Sequence, residues 1–569
     1  MGTDINTDVL ITGAGPTGLT LACTLKMHGI DFVIIDKSPS RSTIPKASIM
    51  NARSLEVLED LGAADYALKI GLKMNEVVIF AESEKLIQSS YNLINSKFNY
   101  FMNIGQPHSE KALEDRLNEL GTEVLREHEL TGFEQNEEQT EASVKNNNGE
   151  EINIKCRFLA GCDGARSFVR HNLNAEFEGK EYPLDNITGE VEIDWDFPKD
   201  QHLFSFTREG ALITYAMPDG RWLVWANMPL LEGNKSRYYE GMTPTLEDLQ
   251  KYFNERCPFN AELKNPGWLT YYTAHERSVK NLRHGNIFLA GDAAHISSPA
   301  SGQGMNTGIQ DAHNLGFKLS YYLKGIGNEE LLNSYDDERK VFMKSRKKLS
   351  DTNEKVFGIR AHIAQHIRYQ LFSFLYNNEM IFTSTLNESS QLSQNYRKSR
   401  LVDEFVGLPI HLTGGRHLSE EVSCPEAWLY FGKGPHAGDR MRECYRIKNS
   451  AGETNFLSDH MGRNTFNLLF FTATDTPRED IVKEINSIAG WNANENRIKF
   501  NFHVFLKTEG TLPVLDNDIC ILIDPESEAH DNYGAKGECI YLIRPDGYVG
   551  YRSLPPDLER LKKYLDKYN

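Results

Sequence analysis

The sequence predicts an α/β fold: a parallel sheet of nucleotide-binding type, an antiparallel sheet inserted into it, and a second, smaller α/β domain. Three observations predict it. The first 36 residues run apolar strand, glycine-spaced turn, helix, apolar strand. Between about 176 and 275 the texture changes to short aromatic and β-branched runs broken by turn signals. Beyond a Ser/Asn-rich stretch around 385–410, strand and helix patterns alternate again.

Each element follows from its local pattern. VLIT (9–12) and DFVIID (31–36) are apolar runs of strand length, and LTLACTLKMHG between them has helical spacing ending at Gly29. ASIMNARSLEVLEDLG (47–62) predicts an amphipathic helix closed by Gly62. EVEIDWDF, HLFSFT, ALITYAM and WLVWANM, separated by TREG and PDG, predict an antiparallel sheet. NIFLAGD (286–292) returns to the parallel-strand pattern, and about 305–380 is mainly helical, with Leu315, Leu319 and Leu323 on one face. NTFNLLFFTA, ENRIKFNFHVFL, ICILID and CIYLIRPDGYVGYR are further strands. The expected domains are 1–175 and 276–400, together binding a nucleotide, the inserted sheet 176–275, and 405–569.

Composition narrows the function. A chain of 569 residues exceeds one core, so two to four domains are expected. A net charge of -18 disfavours nucleic acid or an anionic membrane as partner, while backbone N–H groups remain able to bind a phosphate. The run MGTDINTDVLITGAG has no basic region, so no signal or transit peptide is expected, and no apolar run approaches membrane-spanning length. The eight cysteines form no C-x-x-C pair and no metal-ligand spacing, so no metal is expected and the protein is read as cytoplasmic and reduced.

Three constellations carry chemistry. Gly13-x-Gly15-x-x-Gly18 lies directly after a strand and opens a helix. Gly13 permits the turn, Gly15 lets the backbone approach a pyrophosphate, and Gly18 lets helix and strand pack closely. Asp36 ends the second strand, where a carboxylate can accept from a ribose hydroxyl. This context points to a dinucleotide without distinguishing FAD from NAD. In FLAGCDGARSFVR (158–170) a strand ends in Asp163-Gly164, which is equally an ordinary Asx turn. In LAGDAAHISSPASGQGMN (289–306), Gly291-Asp292 stands at the carboxyl end of a strand, where open α/β sheets bind ligands. Small residues follow, and then a helix whose first N–H groups, near Gly304, Met305 and Asn306, favour negative charge.

Together these motifs, in this order and spacing over roughly 7–350, resemble the FAD-dependent aromatic hydroxylases, the single-component flavoprotein monooxygenases. IRPDGYVGYR (543–552) resembles the C-terminal domain of their phenol and polyketide hydroxylase branch. The resemblance implies a Rossmann-like FAD-binding domain with an inserted antiparallel substrate domain and a thioredoxin-like C-terminal domain. Lacking C-x-x-C, that last domain has a dimerisation or structural role, and a homodimer is expected.

The resemblance assigns the residues. Gly13, Gly15 and Gly18 contact the pyrophosphate, Asp36 the adenosine ribose, and Asp163 and Gly164 both FAD and NADPH. Gly291 and Asp292 hold the ribityl chain or pyrophosphate, Gly304, Met305 and Asn306 face the flavin ring edge, and Gln106 contacts the flavin. Where the family often has Arg-Ala, this chain has Lys46-Ala47, so Lys46, Arg53 or Arg41 is expected on phosphate. Pro299, with Phe204, Tyr215 and Trp222 foremost among the aromatic strands (Trp195, Phe206 and Trp225 also), is expected to line the substrate pocket. No side chain is a certain catalytic group. His295 is expected to be a structural hydrogen-bonder, because the flavin carries the chemistry.

The implied reaction reduces FAD with NADPH or NADH, adds O2 to form a flavin C4a-hydroperoxide, and hydroxylates a phenolic or polycyclic aromatic substrate. Two alternatives stay open here: Baeyer–Villiger or another oxidation of a natural product or drug on the same fold, and a non-catalytic flavoprotein that sequesters an aromatic ligand.

Overall fold

The N-terminal run DVLIT ends the strand Asp4–Thr12, the middle of a parallel core in a computed structural model that describes residues 4–43, 47–298, 302–357, 369–371, 378–407, 424–474, 477–508 and 519–568. That core runs Ile287–Leu289, Glu151–Gly161, Asp4–Thr12, Phe32–Asp36, Leu125–Arg126. Val9, Leu10 and Ile11 are fully buried, as a strand covered on both faces requires. Thr140–Asn146 and His128–Gln135 extend the sheet antiparallel from Glu151–Gly161. The helix Pro16–Met27 joins the first two parallel strands, with Pro16 in its first turn, where a missing N–H costs nothing.

The aromatic strands build a second eight-stranded sheet. Its order is His295–Ile296, Leu263–Val279, Phe177–Ile193, Trp222–Met228, Ala211–Ala216, Gln201–Phe206, Glu76–Ala81, Glu84–Ser90. Two of these strands come from 76–90, far from the 176–275 stretch. Gln201–Phe206 takes Glu76–Ala81 as a parallel neighbour, a pairing local pattern cannot announce. One face is covered by the helix Leu246–Arg256, whose Leu249 and Phe253 pack on Ile187, Leu203, Leu212, Val224 and Ala226. A capping box between Thr245 and Asp248 starts that helix. A three-stranded sheet, Ile49–Met50, Phe101–Asn103 and Leu72–Met74, completes this part.

The chain divides into two compact units, Met1–His313 with Phe342–Leu392, and Asn314–Val341 with Ser393–Asn569. The second unit has an eight-stranded mixed sheet ordered Asp403–Val406, Val549–Leu554, Cys539–Ile543, Phe466–Phe471, Phe500–Leu506, Ile519–Ile523, Ile447–Asn449, Thr454–Asn455. Period two sorts the central strand between two cores: Leu468 and Phe470 enter one, Leu469 and Phe471 the other. The turn RPDG places Arg544 and Asp546 in a buried ion cluster. Arg544 Nη1 and Nη2 meet Glu338 at 2.7 and 2.8 Å, and Lys318 Nζ meets Glu338 at 2.7 Å. Burial works against the Glu338 carboxylate, yet Arg544 and Lys318 outweigh it and hold that carboxyl well below the usual range.

Candidate functional site

The glycine turn is shaped by contact on two sides and open on the third. Gly13 has φ +98°, and a Cβ there would come within 2.3 Å of the Cys162 carbonyl oxygen. A Cβ on Gly18 would meet the Gly13 carbonyl at 1.9 Å. At Gly15, by contrast, a Cβ meets nothing within 4 Å. Gly15 is also the N-cap of Pro16–Met27 and gives it no side-chain cap, so the open space lies where the first-turn N–H groups emerge. Asp36 Oδ2 accepts the Ala14 N–H at 2.7 Å and Oδ1 accepts the Ser38 N–H at 2.8 Å. Those bonds hold the carboxylate at the strand end and leave each oxygen a second lone pair.

The other two motifs meet this turn. Asp163 Oδ2 accepts the Val169 N–H at 3.2 Å, while its Oδ1 is buried without a hydrogen-bond partner among the described residues. Gly164 has φ +81° and open space at its Cβ position. Arg170 ties the two Asp-Gly turns together: Nη1 donates to the Ala293 carbonyl at 3.0 Å and Nη2 to the Ala165 carbonyl at 2.8 Å. Gly291, at φ +59°, and Gly308 leave room for the same atom. A Cβ at either would stand 2.4 or 2.3 Å from Thr17 Oγ1. Asp292 is exposed beside them. His295 is buried, and its Nε2 donates to Asp311 Oδ2 at 2.6 Å, the oxygen that also accepts the Gly291 N–H at 3.1 Å. That pair fixes the turn.

The helix Gly304–Leu323 starts with Gly304 and Met305 half-buried. Asn306 is buried and faces the segment before the helix Ala52–Asp60. Its Oδ1 accepts the Asn51 N–H at 3.0 Å and its Nδ2 donates to the Ile49 carbonyl at 2.9 Å. The Gln106 N–H donates to the Ala47 carbonyl at 2.8 Å, and its side-chain amide donates to Glu110 at 2.8 Å. Arg53 is buried and paired with Glu56 at 2.9 Å, and Arg41 is paired with Glu114 at 2.8 Å. Lys46 and Pro299 lie outside the described residues.

The inserted sheet meets the same segment. Tyr215 Oη and Ser48 Oγ are 2.8 Å apart, and burial pushes the phenol up to about 12. Phe204, half-buried, lies on the face of Tyr215. Trp222 does not, which corrects the expectation of one shared wall. Strand alternation turns it with Val224 and Ala226 toward the Leu246–Arg256 helix, and its ring meets Trp195 at 4.9 Å. Behind Tyr215, the Tyr91 hydroxyl donates to His202 Nδ1 at 2.8 Å, and His202 Nε2 donates to Asn103 Oδ1 at 3.1 Å. Burial drives that imidazole down to about 3, so it is neutral.

Sequence reasoning named the glycines and acids of the cradle and missed the residues that join its parts: Thr17, Gly308, Asp311, Ser48 and the structural role of Arg170. Only Gly308, a glycine inside a helical pattern, carried a local signal of close approach.

The cradle suits a dinucleotide. Open space lies at Gly15 and Gly304, at the starts of two helices, and at Gly164, beside which the buried Asp163 Oδ1 has no donor among the described residues. The family model described as "FAD binding domain" matches residues 6–349. YhjG of Bacillus subtilis, named an uncharacterized aromatic compound monooxygenase, is 33% identical over 337 residues, covering 58% of this chain and 65% of that protein. A rifampicin monooxygenase of Streptomyces venezuelae is 30% identical over 332 residues, covering 58% of this chain and 68% of its own length. The chain thus spans about two thirds of these relatives. Among solved structures, the OxyS anhydrotetracycline hydroxylase from Streptomyces rimosus superposes with a TM-score of 0.72 at 22% identity, covering 99% of each chain.

Proposed function

Because this chain belongs to the FAD binding domain family, we propose that it is an FAD-dependent monooxygenase of the aromatic hydroxylase type, using NAD(P)H and O2 on a phenolic or polycyclic aromatic substrate. The observation that carries this reading is the joining of cradle and wall. Asn306, at the start of the Gly304–Leu323 helix, grips the Ile49–Asn51 segment, and the neighbouring Ser48 holds Tyr215 of the aromatic sheet. A ring seated at that helix start has the Tyr215 face of the sheet beside it.

The chain's residues bind, orient and keep dry. Gly15 and the first N–H groups of Pro16–Met27 take the pyrophosphate, Asp36 the ribose, and Asp163 and Asp292 the remaining polyol or phosphate groups. The N–H groups at Gly304 to Asn306 favour negative charge on the ring edge. FAD bound there supplies the hydride acceptance and oxygen transfer that no side chain of the cradle offers. Buried Leu223, Trp225 and Tyr215 exclude water from that side. Arg53 adds positive charge near phosphate, and Phe204 borders the substrate.

No helix among the described residues is long and apolar enough to cross a membrane. We read the protein as cytoplasmic and the thioredoxin-like segment 405–569 as a dimerisation element. The relatives named for rifampicin and anhydrotetracycline favour a polycyclic substrate. The test is to load the protein with FAD and follow NADPH oxidation in air over a panel of mono- and polycyclic phenols. Stimulated oxidation with a product heavier by one oxygen is expected. Failure to retain flavin, or tight phenol binding with no oxygenated product, overturns the reading.

A further inference from the structure

The sheet face that carries Tyr215 also carries a row of residues crossing five strands. In register, Trp268 stands opposite Glu190, Glu190 opposite Leu223, and Leu223 opposite Tyr215, whose ring lies 5.1 Å from that of His202. Directly opposed residues share a face, so all five point away from the Leu246–Arg256 helix. The helix-covered face is closed by Leu203, Leu212, Trp222, Val224 and Ala226, all buried. The other face stays partly open: Phe204, Ile213, Glu190 and Trp268 are only half-buried.

Glu190 is the one carboxylate of that row. Two strand spacings separate it from Tyr215, about 10 Å at the usual strand spacing. Among the described residues no ion pair engages it. The nearby Arg221 is directed at Glu192 and Asp219, at 3.9 Å each, and donates to the Asn265 carbonyl at 2.8 Å. His202 and Tyr215, the other titratable groups of the row, are neutral. Burial raises the Glu190 carboxyl against the pull of Trp268 and Arg221, with Asp219 adding to the rise. A cation brought beside it would relieve that cost.

Resting on the monooxygenase reading above, we propose that Glu190 is a specificity-determining residue that selects aromatic substrates bearing a protonated amino group, held beside Trp268 while the rings reach back past Leu223 toward Tyr215. No bond is made or broken by Glu190; it orients.

The test uses full-length FAD holoenzyme without NADPH, so that binding is read apart from turnover. The probes are an aminomethyl-substituted naphthol and its N-acetylated counterpart, titrated by perturbation of the flavin absorbance and quenching of tryptophan fluorescence. Wild type is expected to bind the amine roughly tenfold or more tighter than the amide. Glu190→Gln should bring the two affinities together with flavin content and amide affinity unchanged, and Glu190→Asp should keep part of the preference. A wild type with no preference, or that fails to bind the amine, overturns the proposal, as does a preference that survives in Glu190→Gln. When NADPH is then added in air, an amine preference with no oxygenated product from either compound would sink the monooxygenase reading and leave the Glu190 assignment standing.

Discussion

Asn306 and Asn51 are bound across 255 residues of chain, the Asn306 Oδ1 accepting the Asn51 N–H at 3.0 Å while its Nδ2 reaches the Ile49 carbonyl at 2.9 Å. One side chain thus satisfies two backbone groups of the Ile49–Asn51 segment and places it against the start of the Gly304–Leu323 helix. The same segment carries Ser48, the contact of Tyr215.

Replacing Asn306 by Ala removes both bonds. At roughly 0.5–1.5 kcal/mol each, FAD should bind on the order of tenfold more weakly, measured by fluorescence titration of the apoprotein. Asn306→Asp keeps the acceptor and loses the donor, so its affinity should fall between wild type and Asn306→Ala.

Gly13→Ala and Gly15→Ala should part company. At Gly13 the positive φ and the Cys162 carbonyl at 2.3 Å oppose a methyl group, and the backbone conformation alone costs roughly 1–2 kcal/mol. That variant should melt lower even without flavin. Gly15→Ala has space within the protein, so the apo form should melt as wild type does while flavin binding is lost. Equal melting losses in both apo variants would contradict the picture of an open cradle at Gly15.

Acid should weaken the first unit through His202. Its imidazole titrates near 6.5 when unfolded and at about 3 when buried, so the unfolded chain takes up the extra proton between those values. The contribution is therefore complete above pH 6.5 and is lost progressively as pH falls toward 3. His202→Gln should flatten the dependence of the urea midpoint on pH between 7 and 5, whatever its effect at pH 7.

In the second unit, Glu338→Ala leaves Arg544 and Lys318 buried without their shared carboxylate, since both meet it at 2.7 Å. Breaking a buried pair this way costs roughly 3–5 kcal/mol. A matching fall in the urea midpoint is expected, whereas a variant as stable as wild type would show that Asp546 alone suffices for Arg544.

What the amino-acid order determined by itself was local. A turn where a Cβ would stand 2.3 Å from a neighbouring carbonyl oxygen needs glycine, and Gly13-x-Gly15-x-x-Gly18 therefore declares itself, as do the Asp-Gly turns at strand ends and the alternation of apolar residues along strands. The tertiary structure alone decided which distant groups share a wall. It set Thr17 between Gly291 and Gly308, Asp311 under His295, Ser48 against Tyr215, and Trp222 on the far face from Tyr215. Two strands from 76–90 joined a sheet whose other strands lie beyond residue 176. Such partnerships depend on register and chain closure, which sum over many weak contacts separated by a hundred residues or more. No window of sequence holds both members of the pair, so their physical reason appears only when the chain has folded back on itself.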